Sequence, residues 1–168
     1  MEKVYETPRT YLRTMAQDDL SAAVRFWGNS EVMEESGGAT SLEALQRVLE
    51  GYKRCHLERG LSVYGIIEKK SGNMIGAAGF NISDSLNTAE LLCHLEKDSW
   101  GKGYATEAVQ ACIELAKRHS GVEMIYASAA PGNERSLKLL QKTGFQFIDK
   151  RWFEDTQKEE PYFELSVK

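Results

Sequence analysis

The chain has 168 residues, 42% hydrophobic and 27% charged, which is ordinary for one globular domain large enough to bury a real core. Its formal net charge of −4 argues against broad binding to a nucleic-acid backbone and favours a cationic partner. No apolar run approaches the ~20 residues of a membrane span, and Met1 to Glu6 lack the apolar core of a secretory signal. The three cysteines, Cys55, Cys93 and Cys112, show no framework spacing. A single cytoplasmic domain over 1–168, with neither membrane nor nucleic acid as partner, is the expectation.

In chain order, Thr10 to Thr14 read as a first strand, and Asp18 or Asp19 as the cap of a helix running to about Trp27, which Gly28-Asn29-Ser30 breaks. Thr40 to Glu43 have capping-box spacing, and Leu42, Leu45, Leu49, Tyr52 and His56 form one helical stripe that ends at Gly60. Leu61–Glu68 and Asn73–Phe80 are strand-like runs joined by a turn at Lys69 to Gly72. A third, largely buried strand covers Glu90 to Leu95. Later come a helix from Ala105, a strand over Met124–Ser128, a short helix over Asn133–Lys142, and strands over Phe145–Arg151 and Tyr162–Val167. The order predicts a mixed, mostly antiparallel α/β (α+β) sheet of six to seven strands flanked by about four helices.

The richest stretch is Trp100-Gly101-Lys102-Gly103-Tyr104-Ala105-Thr106-Glu107-Ala108. Glycines permit a tight turn and close approach of a ligand to the backbone, and the first N–H groups of the following helix have no intrahelical partner. With the helix dipole added, strand, glycine turn and helix stand in the order that holds a phosphate.

These residues resemble the GNAT superfamily of N-acetyltransferases, and most of all its Rim-type branch of ribosomal-protein N-terminal acetyltransferases. The likeness runs over nearly the whole chain and rests on two motifs. The first is Ala89-Glu90-Leu91 leading to the Trp100–Ala108 stretch, similar to the family's acyl-CoA pyrophosphate loop. The second is Asn133-Glu134-Arg135-Ser136 leading to Gly144-Phe145. The resemblance implies acetyl-CoA as co-substrate and a primary amine as acceptor, either a protein N-terminus or a small molecule. It implies direct transfer without an acetyl-enzyme, by a monomer or homodimer and without a metal. By the same likeness, Gly101, Lys102, Gly103, Tyr104, Ala105 and Thr106 hold the pyrophosphate and Asn133 reaches the pantetheine. Backbone groups near His94 and Leu95 hold the pantetheine arm, with the Leu95 N–H as oxyanion donor. Glu90 takes the position of a strand-borne base. Leu140 stands where several relatives have a thiolate-protonating tyrosine, which leaves Ser136 as the candidate acid.

The chemistry sets its own demands. A lysine-like amine of pKa near 10.4 is free in only roughly one molecule in a few thousand at pH 7, whereas an α-amine near 8 is about a tenth free. A leaving thiol of pKa about 8.5 asks only for a weak acid. The loop from Gly28 to Thr40, with Glu31, Glu34 and Glu35, is the expected acceptor wall.

Other readings compete at each position. Glu90 can be a plain ion-pair partner, Ser136 a local backbone binder, Asn133 an N-cap and His94 a neutral packed histidine. The pairs Cys55-His56 and Cys93-His94 diverge on their elements and lack a Cys-X-X-Cys, so they do not make a zinc site. Gly101-X-Gly103 opening a helix also suggests a dinucleotide-binding oxidoreductase, but Thr106 replaces the third glycine and the turn does not follow its strand directly. A non-catalytic acyl-CoA sensor stays open because of Leu140.

Overall fold

The computed structural model describes residues 1–83 and 85–168. Its strands are β1 (Lys3–Glu6), β2 (Thr10–Arg13), β3 (Val63–Glu68), β4 (Met74–Asn81), β5 (Thr88–Leu95), β6 (Met124–Ser128), β7 (Gln146–Phe153) and β8 (Lys158–Ser166). The helices are α1 (Leu20–Phe26), α2 (Leu42–Arg59), α3 (Tyr104–Arg118) and α4 (Glu134–Lys142). All strands join one sheet in the order β1-β2-β3-β4-β5-β6-β8-β7. Among the described residues only β5 and β6 pair in parallel. One more strand forms than the sequence pattern predicts. It is β1, which pairs with β2 and whose short Lys-Val-Tyr-Glu run carries no apolar alternation.

Continuous apolar runs in β3 and β4 are buried because the sheet is covered on both faces. Tyr64, Ile66, Ala78 and Phe80 pack with Ala108, Val109 and Cys112 of α3. Val63, Ile67 and Ala77 pack with Ala23 and Phe26 of α1 and Leu45 and Leu49 of α2. Period-two alternation thus divides each strand between two cores.

Two helix starts differ from expectation. Asp19 stands at the N-cap of α1 but its side chain makes no capping bond: the carboxylate is taken by both Arg13 guanidinium nitrogens, each at 2.9 Å, and by the Ala16 N–H. The cap of α2 is Ser41, whose Oγ accepts the Ala44 N–H at 3.3 Å, so the Thr40–Glu43 box does not form and Leu42 is exposed. Gly60 ends α2 at φ +76°, as its position suggests.

Candidate active site

The site begins with a change of pairing on β5. That strand pairs with β4 from Asn81 opposite Glu90 to Gly76 opposite Leu95, but with β6 only at Thr88, Ala89 and Glu90. Past Glu90 the two strands part, and a cleft of about 750 Å³ opens. The register fixes where the freed backbone points. The Glu96 N–H reaches the carbonyl of Ile75, directly opposite, at 2.8 Å. By antiparallel alternation Leu95, Cys93 and Leu91 therefore turn their N–H and C=O groups away from β4, toward the cleft. The Leu95 carbonyl accepts the Trp100 indole N–H at 3.0 Å.

At one end the cleft meets the glycine turn. Gly101 and Gly103 adopt φ +75° and +85°, and a Cβ on Gly101 would meet nothing within 4 Å. The first intrahelical bond of α3 runs from Glu107 N–H to the Gly103 carbonyl, so the N–H groups of Tyr104, Ala105 and Thr106 have no helical partner. Gly101, Gly103, Tyr104, Ala105 and Thr106 line the cleft, whereas Lys102 does not. The Lys102 carbonyl instead accepts Arg9 Nη1 at 2.9 Å. Arg9 also bonds Glu107 through Nε and its own N–H, and stacks 4.3 Å from the Tyr104 ring centre. Burial opposes ionisation of Glu107, but hydrogen bonds from Thr7 and Arg9 prevail and hold its carboxyl below the usual range. The turn is braced from outside.

Helix α4 forms the second wall. Asn133 caps it by accepting the Ser136 N–H at 3.3 Å, and both residues line the cleft. Arg135, Lys138 and Lys142 bring positive charge to the same wall, with the Arg135 guanidinium 3.7 Å from the centre of the Trp100 ring. Leu140 faces the other way, 4% exposed within the core that holds Phe145, while Leu139 lines the cleft.

The other end is acidic. Burial pushes the Glu90 carboxyl up, the charges of Asp155 and Glu160 add to the rise, and a hydrogen bond from Asn81 opposes it. Asn81 is itself oriented by the Tyr52 hydroxyl, which donates to its Oδ1 at 3.0 Å. Burial, with the Glu90 charge behind it, pushes the Tyr52 phenol up to about 12, so it stays a proton donor. Glu160 is 3% exposed and its Oε2 has no hydrogen-bond partner.

His94 packs as a neutral side chain. The Trp27 indole can only donate, and it donates to His94 Nδ1 at 3.1 Å. The His94 proton is thereby on Nε2, facing Ser36 Oγ at 3.2 Å, and burial pushes the ring down to about 4. Its side chain ties the 28–40 loop to β5. In that loop Glu31 pairs with Lys97, Glu35 pairs with Lys158 at 3.6 Å, and only Glu35 of the three acids lines the cleft. The acidic end comes chiefly from Glu90, Asp155 and Glu160. Asp155 and Glu160 were invisible in sequence because a β7–β8 hairpin of mixed polar residues gives no sign of what it faces. Tyr52 was visible only as part of a helical stripe.

A family model described as acetyltransferase (GNAT) domain matches residues 9–146. An uncharacterised N-acetyltransferase, p20, of Bacillus licheniformis is 32% identical over 149 residues, covering 87% of this chain and 83% of that protein. Among solved structures, a GNAT-family acetyltransferase from Bacillus anthracis superposes with a TM-score of 0.84 at 19% identity, covering 97% of this chain and 98% of that one. RimL, a ribosomal L7/L12 alpha-N-protein acetyltransferase solved with coenzyme A, gives 0.83 at 17% identity and covers 98% of each chain.

Proposed function

Since the chain belongs to the GNAT acetyltransferase family and is an N-acetyltransferase, we propose that its cleft binds acetyl-CoA against α3 and α4 and delivers the acetyl group directly to an amine entering from the acidic end. The observation that carries this reading is the parting of β5 from β6 after Glu90, which leaves the Leu95 N–H turned into a cleft that leads to the α3 N-terminus.

The residues present suit the coenzyme. Free amides at Tyr104 to Thr106 and the open space beside Gly101 offer a seat for the pyrophosphate. Arg135, Lys138 and Lys142 supply positive charge for its remaining phosphate, and Asn133 offers its amide to the pantetheine. Lys102 contributes at most its backbone. Acetyl-CoA supplies an activated acyl group, and the chain's task is to handle charge and protons around it. The Leu95 N–H donates to the oxygen on which charge develops. Glu90, held by Asn81 and raised by burial, accepts the amine proton, directly or through a water. Ser136 is the proton donor to the departing thiol, since Leu140 is turned into the core.

Titration calorimetry with acetyl-CoA, and with NADH in parallel, tests the reading. Saturable acetyl-CoA binding, followed by thiol release with some member of an amine panel, is expected. Binding without turnover of any amine would make the protein an acyl-CoA sensor, and NADH binding alone would overturn the coenzyme assignment.

A further inference from the structure

Resting on the acetyltransferase reading above, we propose that the acceptor is a small amine carrying a second cationic amino group, which Glu160 and Asp155 hold while the reacting amine lies at Glu90. Glu160 sits on β8 two residues before Tyr162, the partner of Ser128 at the end of β6, so it lies just past the point where β6 stops. Its side chain is 97% buried, lines the cleft and leaves Oε2 without a partner. On the turn that leads into β8, Thr156 lines the same cleft with its Oγ1 also buried and unpaired, and Asp155 uses one carboxylate oxygen on the Thr156 N–H. A buried carboxylate without a partner is costly unless a ligand supplies the counter-charge.

The reacting amine cannot supply it. That nitrogen must be neutral when it attacks, so in the reactive complex an acceptor with one amine leaves Glu160 uncompensated. A second ammonium on the same molecule keeps its proton throughout and answers the charge. Two cations of the same β7–β8 hairpin are engaged by other acids: Lys158 pairs with Glu35, and Arg151 with Asp149. In the same cleft Trp27 and Tyr52 lie 5.8 Å apart, ring centre to centre, and with Val48 offer the carbon chain an apolar surface.

The test compares kcat/KM for spermidine, putrescine and n-butylamine, with a neutral-sequence peptide bearing a free N-terminus as a fourth acceptor. The di- and triamine are expected to exceed butylamine and the peptide by about tenfold or more, the scale of one desolvated charge pair. In Glu160→Gln that ratio falls toward one, and in Asp155→Asn, a change on an exposed turn that spares the fold if Glu160→Gln does not, it falls part of the way. Acetyl-CoA affinity is followed by calorimetry in each variant. Retained acetyl-CoA binding with butylamine or the peptide matching the polyamines overturns the proposal alone, as does an unchanged ratio in both variants. A wild-type protein that binds no acetyl-CoA overturns the transferase reading and this inference together.

Discussion

At the scale of single residues, the proposed mechanism works by assigning protons. As the proposed base Glu90 must be ionised to accept one, and because burial raises its pKa, activity should decline on acidification sooner than an ordinary carboxylate would dictate. Glu90→Gln should therefore fall well below wild type at acidic to neutral pH and approach it at high pH, where the amine is free unaided. A pH–rate profile parallel to wild type would remove Glu90 as base. Ser136→Ala should slow turnover by roughly tenfold or more while acetyl-CoA affinity is kept, the range of a lost acid catalyst; equal rates would make water the acid. His94 gives a stability prediction. Its folded pKa of about 4 lies below the ordinary histidine value of 6.5, so its contribution is complete above pH 6.5 and disappears as pH falls toward 4. The shift corresponds to at most about 3 kcal/mol. His94→Gln should flatten the pH dependence of the urea midpoint across that window, and an unchanged slope would show that His94 is protonated without penalty.

At the scale of elements, the critical junction is between β4 and β5. Gly76 stands opposite Leu95, and a Cβ there would lie 2.2 Å from the His94 carbonyl oxygen and 2.9 Å from the Leu95 Cα. Those are backbone atoms, which cannot rotate aside. Gly76→Ala should cost about 2 kcal/mol or more and displace the Leu95 N–H, so the loss in kcat should exceed what instability explains. Thermal unfolding and kcat measured together check this, and a variant of normal stability and rate would show that the strands part freely. The same scale shows what was legible beforehand. The strands β3 to β5, helix α3 and the glycine turn were readable because their signals are local: apolar runs, helical periodicity and glycine punctuation. The cap position of α1 was legible at Asp19, but not that its carboxylate forgoes the helix N–H groups for a stronger partner in Arg13, six residues upstream. Strand β1 was missed because it is defined by its pairing with β2 rather than by any pattern of its own.

At the scale of the whole molecule, the cleft is electrically divided. Arg135, Lys138, Lys142 and the α3 N-terminus lie toward one end, with Glu90, Asp155 and Glu160 toward the other, in a chain of net charge −4. On the proposed reading such a division would steer an anionic coenzyme and a cationic acceptor to separate entrances. Replacing Lys138 and Lys142 together by alanine should weaken acetyl-CoA about fivefold to tenfold and flatten the salt dependence of its binding, since exposed charges act through a screened field. Calorimetry at two ionic strengths checks this, and an unchanged salt slope would place the coenzyme phosphates elsewhere. Among the described residues no helix is long and apolar enough to cross a membrane.

The sequence by itself determined the family, the glycine turn at the head of α3, the Asn133–Ser136 helix start and the strand that bears Glu90, because each is written within a few consecutive residues. Only the tertiary structure decided that β5 parts from β6 after Glu90, that Arg9 braces the turn from more than ninety residues away, that His94 is a neutral tie between loop and strand, and that Asp155 and Glu160 line the same cleft as Glu90. Those features join residues tens of positions apart, and their charges and hydrogen bonds acquire meaning only when folding buries them together.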